Sequence, residues 1–244
     1  MKIFFRKSKV AAAFSRSSTE LNLRSRAIGD KGAKELAAKL KGNKSLQAVN
    51  LYDNDIGCEG AKALGAMLKV NKTLQWINLD RNRIGNEGAK ELAAALKGNK
   101  TIRKIYLYDN QIGYEGAKDL AAVLKENSTI QEINLDRNQI GDHGAKELGA
   151  ALKVNTALRT ICLQDNKIGD DGAKELAAAL KVNSNLQNLG LSGNQVGKEG
   201  AKELVAVFQE NFALQKIHLT SFTLRRRSRY LGEVPPPIGT CPVA

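Results

Sequence analysis

A single unit of 28 residues, repeated along most of the chain, constrains the fold more than any other feature. The segment from Leu46 to Thr73 recurs without insertion as residues 74–101, 102–129, 130–157, 158–185 and 186–213. A diverged copy at residues 18–45 precedes these units, and residues 214–219 begin an eighth. A constant period over seven full units predicts a solenoid, in which each unit packs only against its neighbours.

Each repeat contains two hydrophobic periodicities in succession. Its first half has the spacing L-x-x-L-x-L-x-x-N-x-I, filled in one repeat by Leu74, Ile77, Leu79, Asn82 and Ile84. This alternation is typical of a short strand with one buried face. The second half places aliphatic residues at helical spacing, as in Ala89, Leu92, Ala93 and Leu96. Asn99 follows, and we expect it to end the helix in the left-handed conformation that asparagine tolerates.

The unit LxxLxLxxNxIGxxGAxxLAxALKxN resembles the leucine-rich repeat of the ribonuclease-inhibitor type. Uniform repeats of this kind are similar to those of NACHT-containing (NOD-like) immune receptors and of Ran GTPase-activating proteins. The resemblance implies an α/β solenoid, a right-handed horseshoe with parallel strands inside and helices outside. It also implies a scaffold that binds a protein partner on its concave strand surface, in immune-type sensing or regulation. The alternative that it implies is a GTPase activator.

The resemblance and the charge distribution divide the chain into three parts. Residues 1–17 form a basic N-terminal extension or cap with five basic and no acidic side chains. Residues 18–219 form the repeat domain. Residues 220–244 form a basic tail that contains proline, with its charge at Arg225, Arg226, Arg227 and Arg229. No run of apolar residues approaches the ~18 that a membrane span needs, so the sequence predicts a cytoplasmic protein.

The formal net charge of +13 arises mainly outside the repeats. Residues 18–213 hold 28 basic and 24 acidic side chains, a nearly balanced body. The sequence therefore gives little support for nucleic-acid binding by the repeats, and binding of nucleic acid or an acidic partner through the tails is a further alternative. The basic N-terminal segment and the arginine run leave mitochondrial and nuclear locations open.

The groups that catalysis requires are not predicted to meet. His143 falls on the outer side and His218 on the eighth strand, two strands and roughly 10 Å from Cys162. Asp80 and Asp136 are also two strands apart, which is poor geometry for a shared metal ion. We therefore predict no enzyme activity, no metal, no cofactor and no small-molecule substrate.

Strand positions that face the inner surface define the predicted binding site. Aromatic residues concentrate there on the second to fourth strands, at Tyr52, Trp76, Tyr106 and Tyr108. Tyrosine and tryptophan dominate the energetics of many interfaces, so we predict an exposed aromatic patch. Asp80 and Asp136 share a column with two of these tyrosines. Arg81 and Arg137, in the next column, alternate with aspartates and are predicted as rim contacts.

One asparagine recurs in every repeat after the first. Because an unpaired buried amide is costly, these residues are predicted to satisfy backbone groups in a stacked structural ladder: Asn54, Asn82, Asn110, Asn138, Asn166 and Asn194.

Overall fold

The computed structural model describes residue 10, residues 18–220 and residues 223–225. The strands β1 to β9 in these residues are Glu20–Asn22, Ala48–Asn50, Trp76–Asn78, Lys104–Tyr106, Glu132–Asn134, Thr160–Cys162, Asn188–Gly190, Lys216–His218 and Thr223–Arg225. The helices α1 to α7 are Gly29–Leu40, Cys58–Leu68, Gly85–Leu96, Tyr114–Glu126, Gly141–Leu152, Asp170–Leu180 and Lys198–Glu210. None of these helices is long and apolar enough to cross a membrane.

The strands form one open sheet in chain order. From β1 to β8 the pairing is parallel, and each residue faces the residue 28 positions later, as Val49 faces Ile77. The predicted α/β solenoid is therefore confirmed. The sheet continues past the predicted domain boundary at residue 219, because β9 pairs antiparallel with β8. This last strand satisfies backbone groups that the eighth parallel strand would otherwise leave unpaired.

The core lies between the sheet and the helices. Ile77 and Leu79 from a strand and Leu92 from the next helix are completely buried, and the equivalent residues of other repeats are buried with them. Alanines such as Ala89 and Ala117 lie where successive helices meet. Their small side chains permit close helix packing, while the apolar faces of single repeats are buried only by stacking.

Alternate repeats begin their helices in two different ways. Gly29, Gly85 and Gly141 have positive φ values of 57°, 62° and 62°, a conformation that glycine adopts without the steric cost of a Cβ atom. In the other repeats the backbone at this position has negative φ, with −97°, −98°, −97° and −87° at Gly57, Gly113, Gly169 and Gly197.

Helices of this second kind are capped by a side chain of the preceding repeat. Asp142 Oδ1 accepts hydrogen bonds from the N–H groups of Gly169 (2.7 Å) and Gly172 (2.9 Å). Equivalent contacts are made by Asp30, Asn86 and Asp170. Backbone donors at a helix start need such acceptors, so each cap stabilises a helix and also joins two repeats.

We expect Asp142→Ala to lower the free energy of unfolding by about 1–2 kcal/mol, because two N–H groups at the start of α6 lose their acceptor. Asp142→Asn should cost less, since Asn86 makes the same contacts with an amide oxygen at 2.7 and 3.2 Å. Urea unfolding of both variants measures the difference. Asp171→Ala removes the same charge from an exposed neighbour and is the control. Equal losses in the Asp142→Ala and Asp171→Ala variants would contradict the capping role.

The asparagine in the strand half of each repeat makes several buried contacts. Asn82 Nδ2 donates to the carbonyl oxygens of Leu51 (3.0 Å) and Leu79 (2.8 Å). Its Oδ1 accepts from the N–H groups of Asn54 (3.1 Å) and Ile56 (2.9 Å). One amide thus serves backbone groups of two repeats, as the buried loop requires.

A second asparagine ladder runs along the ends of the helices. Asn99 Nδ2 donates to the carbonyl oxygen of Leu68 (2.8 Å), at the end of the preceding helix, and its Oδ1 accepts from the N–H groups of Thr101 and Ile102. Asn99 is not among the residues with positive φ, so the expected left-handed conformation is wrong. The asparagine acts through its side chain, which bridges two repeats.

Candidate functional site

The inner face of the sheet is more closely packed than its sequence pattern predicts. Tyr52, Tyr106, Asp80 and Asp136 were expected to be exposed, yet they are only 9%, 4%, 2% and 6% exposed. Neighbouring parallel strands lie about 4.8 Å apart, so large side chains on adjacent strands cover one another. The expectation of exposure is wrong for these four residues.

Two of the predicted aromatic residues form one packed cluster. The rings of Trp76 and Tyr106 meet edge to face, with centroids 5.8 Å apart. Tyr106 Oη donates to Glu132 Oε1 at 2.7 Å, and the other oxygen of Glu132 lies 2.9 Å from Lys104 Nζ. Burial, followed by the Glu132 contact, raises the pKa of Tyr106. Tyr106 is therefore a fixed neutral support, while Trp76 is half-buried and keeps part of its ring accessible.

Arginine side chains lie over the tyrosine rings of the next column. The Arg24 guanidinium is 4.1 Å from the centroid of Tyr52, and Arg81 lies 5.9 Å from the same ring. Arg137 lies 5.6 Å from the centroid of Tyr108, which is half-buried. Contacts of this length are attractive, because the face of an aromatic ring carries negative potential. We refer to Arg24, Arg81 and Arg137 as the arginine row.

The structure adds Arg24 to the predicted site residues. It occupies the position of Tyr52 in the diverged first repeat, and alignment of that repeat with the second was the signal that could have identified it. Lys104 and Glu132 are also additions. Their positions in one inner column were visible in the sequence, but the shared contact with Tyr106 was not.

Aspartates pair with the arginine row along the rim. Arg81 Nε lies 3.8 Å from Asp109 Oδ2, and Arg137 Nε lies 3.4 Å from Asp165 Oδ2. All four side chains are about half exposed. Exposed pairs of this kind contribute at most about 1 kcal/mol each, so they orient the guanidinium groups without enclosing them.

Two carboxylates are buried beneath this rim. Burial raises the pKa of Asp80 to about 6, although the carboxylate accepts the N–H of Tyr108 at 2.8 Å. Burial raises the pKa of Asp136 to about 7, against hydrogen bonds from the N–H (2.6 Å) and Nε2 (3.0 Å) of Gln164. Within residues 18–220 and 223–225 no group of three or more potential ligands is close enough to hold a metal ion.

The remaining predicted residues lie apart from this face or outside the described residues. His143 contacts Tyr114 on the helical side, with ring centroids 5.9 Å apart, and His218 lies on β8, separated by β7 from Cys162 on β6. Arg225 lies in β9 opposite Lys216. The other predicted tail residues, Arg226, Arg227 and Arg229, and nearly all of residues 1–17 lie outside the described part.

Parallel strands in register, outer helices and bridging asparagines define this molecule as a leucine-rich-repeat solenoid of the ribonuclease-inhibitor type. The family model described as "Leucine Rich repeat" matches seven segments, residues 19–37, 42–65, 70–93, 98–121, 126–149, 154–177 and 182–205. The chain therefore belongs to the leucine-rich-repeat family. A search of curated protein sequences found no match.

Solved structures share the fold at low sequence identity. "Leiomodin-1 Actin-Binding Site 2 (ABS2)" is 23% identical, with a TM-score of 0.51 over 63% of this chain and 88% of that one. The tropomodulin C-terminal domain from Caenorhabditis elegans is 16% identical, with a TM-score of 0.52 over 62% of this chain and 93% of that one. This likeness shows the fold alone.

Proposed function

We propose that this chain is a non-enzymatic protein-interaction module whose partner docks on the concave face, across Trp76 and the arginine row. The stacking of the arginine row on Tyr52 and Tyr108 is the observation that carries the proposal. Arginine, tyrosine and tryptophan are the residue types most enriched among interface hot spots. Here they occur together on adjacent strands.

Packing beneath the arginine row favours binding because it reduces the entropy lost on association. A free arginine side chain loses rotamer freedom when it is immobilised at an interface, at a cost of about 0.5–1.5 kcal/mol. The rings of Tyr52 and Tyr108, with Asp109 and Asp165 beside the guanidinium groups, already restrict Arg81 and Arg137. The buried tyrosines thus act as supports, and the exposed guanidinium groups, with Trp76, make the contact.

Charge along the rim suits a partner with both signs of charge. Arg81, Asp109, Arg137 and Asp165 follow one another on successive repeats about 4.8 Å apart. A partner surface that alternates in the opposite sense would pair with this row, and a shift of one repeat would place like charges together. The rim therefore favours one register of docking.

We expect the double variant Arg81→Ala, Arg137→Ala to weaken partner binding at least about tenfold. The full chain and the variant serve as baits, with captured proteins quantified by mass spectrometry and the affinity of the leading partner then measured. Actin is one purified candidate, because the leiomodin-1 structure is titled as an actin-binding site.

The matched control is Arg83→Ala with Arg159→Ala. Arg83 pairs with Asp55 at 2.9 Å and Arg159 Nη1 donates to the carbonyl oxygen of Asn185, so this variant removes equal charge from positions away from the arginine row. Similar capture by both double variants would overturn the proposed docking face. Stimulated GTP hydrolysis that requires Arg81 or Arg137 would replace the proposal with the GTPase-activator alternative.

A further inference from the structure

A positively charged groove lies on the edge of the solenoid where the helices end and the strands begin. We call its cations, Lys44, Lys72, Lys100 and Arg103, the basic edge. They line a groove of about 280 Å³ that crosses three successive repeats, and the amides of Gln47 and Gln75 contribute to the same groove. No acidic side chain lines it.

The basic edge is not neutralised within the described residues. All four cations are exposed, and none of them makes an ion pair within residues 18–220 and 223–225. Nearby lysines differ in this respect, since Lys97 pairs with Glu126. Four positive charges on adjacent repeats repel one another and create a local positive potential that attracts anions.

The fold does not require the lysines of the basic edge. At the position of Lys44, Lys72 and Lys100, the later repeats have Ser128, Thr156, Ser184 and Phe212. The asparagine at the end of each helix is present throughout and makes its contacts in either case, as Asn127 shows with hydrogen bonds to Leu96 and Asn99. Positive charge is therefore concentrated in the first three repeats of an otherwise regular edge.

We propose that the basic edge binds an acidic peptide segment of a protein partner, at a surface separate from the concave face. An extended peptide places alternate side chains on one side, about 6.6 Å apart. Flexible lysine side chains on neighbouring repeats can reach a row of carboxylates with that spacing. The two glutamine amides can both donate to and accept from the peptide backbone.

The lining of the groove favours a peptide over other polyanions. No aromatic ring lines it, so it lacks the stacking platforms on which single-stranded nucleic acids bind. No large apolar side chain lines it, so it has no group to insert into a lipid layer. Lysine, glutamine, serine and threonine side chains suit a charged and strongly hydrated peptide.

The test is fluorescence anisotropy of a labelled peptide of alternating glutamate and serine with the full chain at physiological ionic strength. We expect the triple variant Lys44→Ser, Lys72→Ser, Lys100→Ser to bind the peptide at least about tenfold more weakly. Serine stands at this position in two later repeats, so the variant should fold normally. The matched control, Lys62→Ser, Lys146→Ser, Lys202→Ser, removes equal charge from the outer helices and should change the affinity less than about twofold.

Equal weakening in the two triple variants would show attraction by net charge alone and would overturn the proposal. Carbodiimide cross-linking of the peptide to the unmodified chain is a second readout, and it should join peptide carboxylates to Lys44, Lys72 and Lys100. Cross-links confined to the first 17 residues would contradict the proposal. An oligonucleotide or anionic vesicle that binds more tightly through the same lysines would also overturn the peptide assignment.

This proposal and the concave-face proposal can fail separately. The Arg81→Ala, Arg137→Ala variant retains the basic edge and should bind the acidic peptide as the unmodified chain does. Loss of peptide binding in that variant would place the peptide on the concave face and contradict a separate surface.

Discussion

Asp136→Asn should stabilise the protein at about pH 8 and reduce the pH dependence of its stability between about pH 5 and pH 8. Burial raises the folded-state pKa of Asp136 to about 7 from 3.8. Within this interval the folded protein binds more protons than the unfolded chain, so the free energy of unfolding falls as the pH rises. Above the folded-state pKa the protein contains a buried charge without a cation. Removing that charge should raise the free energy of unfolding by roughly 2–4 kcal/mol.

Neighbouring residues make asparagine a suitable replacement at this position. Its oxygen can still accept the N–H of Gln164, and the Gln164 side chain can turn its own oxygen toward the new amide. The equivalent position holds Tyr108 and Ser192 in other repeats, so the fold accepts neutral residues there. Asp80, whose pKa is raised to about 6, should leave a smaller dependence at lower pH.

Thermal and urea unfolding at several pH values measure the effect. Asp165→Asn is the control, because Asp165 is about half exposed and belongs to the adjacent column. We expect this control to leave the pH profile nearly unchanged. An Asp136→Asn variant that is less stable at pH 8 than the unmodified chain would contradict the burial argument.

Asn138→Ala should cost about 3 kcal/mol or more, because one side chain serves five buried backbone groups. Asn138 Nδ2 donates to the carbonyl oxygens of Leu107, Leu135 and Asp136. Its Oδ1 accepts from the N–H groups of Asn110 (3.1 Å) and Ile112 (2.9 Å). Alanine would leave these groups without partners in a loop where water has little access.

Urea unfolding followed by circular dichroism measures this loss. Asn185→Ala is the control, because no hydrogen bond from the Asn185 side chain occurs within the described residues, and it should change stability by less than about 0.5 kcal/mol. Asn194, near the end of the ladder, is less buried than Asn138, so its replacement should cost less. A cost at Asn138 no greater than that at Asn185 would show that water replaces the lost contacts.

Local patterns were sufficient to predict the repeat fold. The spacing of Leu74, Ile77 and Leu79 indicated a strand, and the spacing of Ala89 and Leu92 indicated a helix. Because every repeat is bonded to the next at the same positions, one correct unit predicts the whole sheet. The requirement that buried amides be paired likewise predicted the environment of the asparagine at position 82 and its equivalents.

The candidate site depended on contacts between repeats that no local pattern specifies. Whether Tyr106 is exposed is decided by Trp76 and Glu132, one strand away on either side. Helix ends were also misjudged for this reason, since Asn99 acts through a carbonyl oxygen of the preceding repeat rather than through its own backbone conformation.

The sequence by itself determined the repeat length, the alternation of strand and helix and the leucine-rich-repeat class, because these depend on periodicities within 28 residues. The tertiary structure decided which inner side chains are buried, which helix starts are capped and where positive charge collects. Strands only about 4.8 Å apart bring together side chains that are wider than this separation. Their mutual coverage depends on residues one repeat away, and it places the arginine row above Tyr52 and Tyr108.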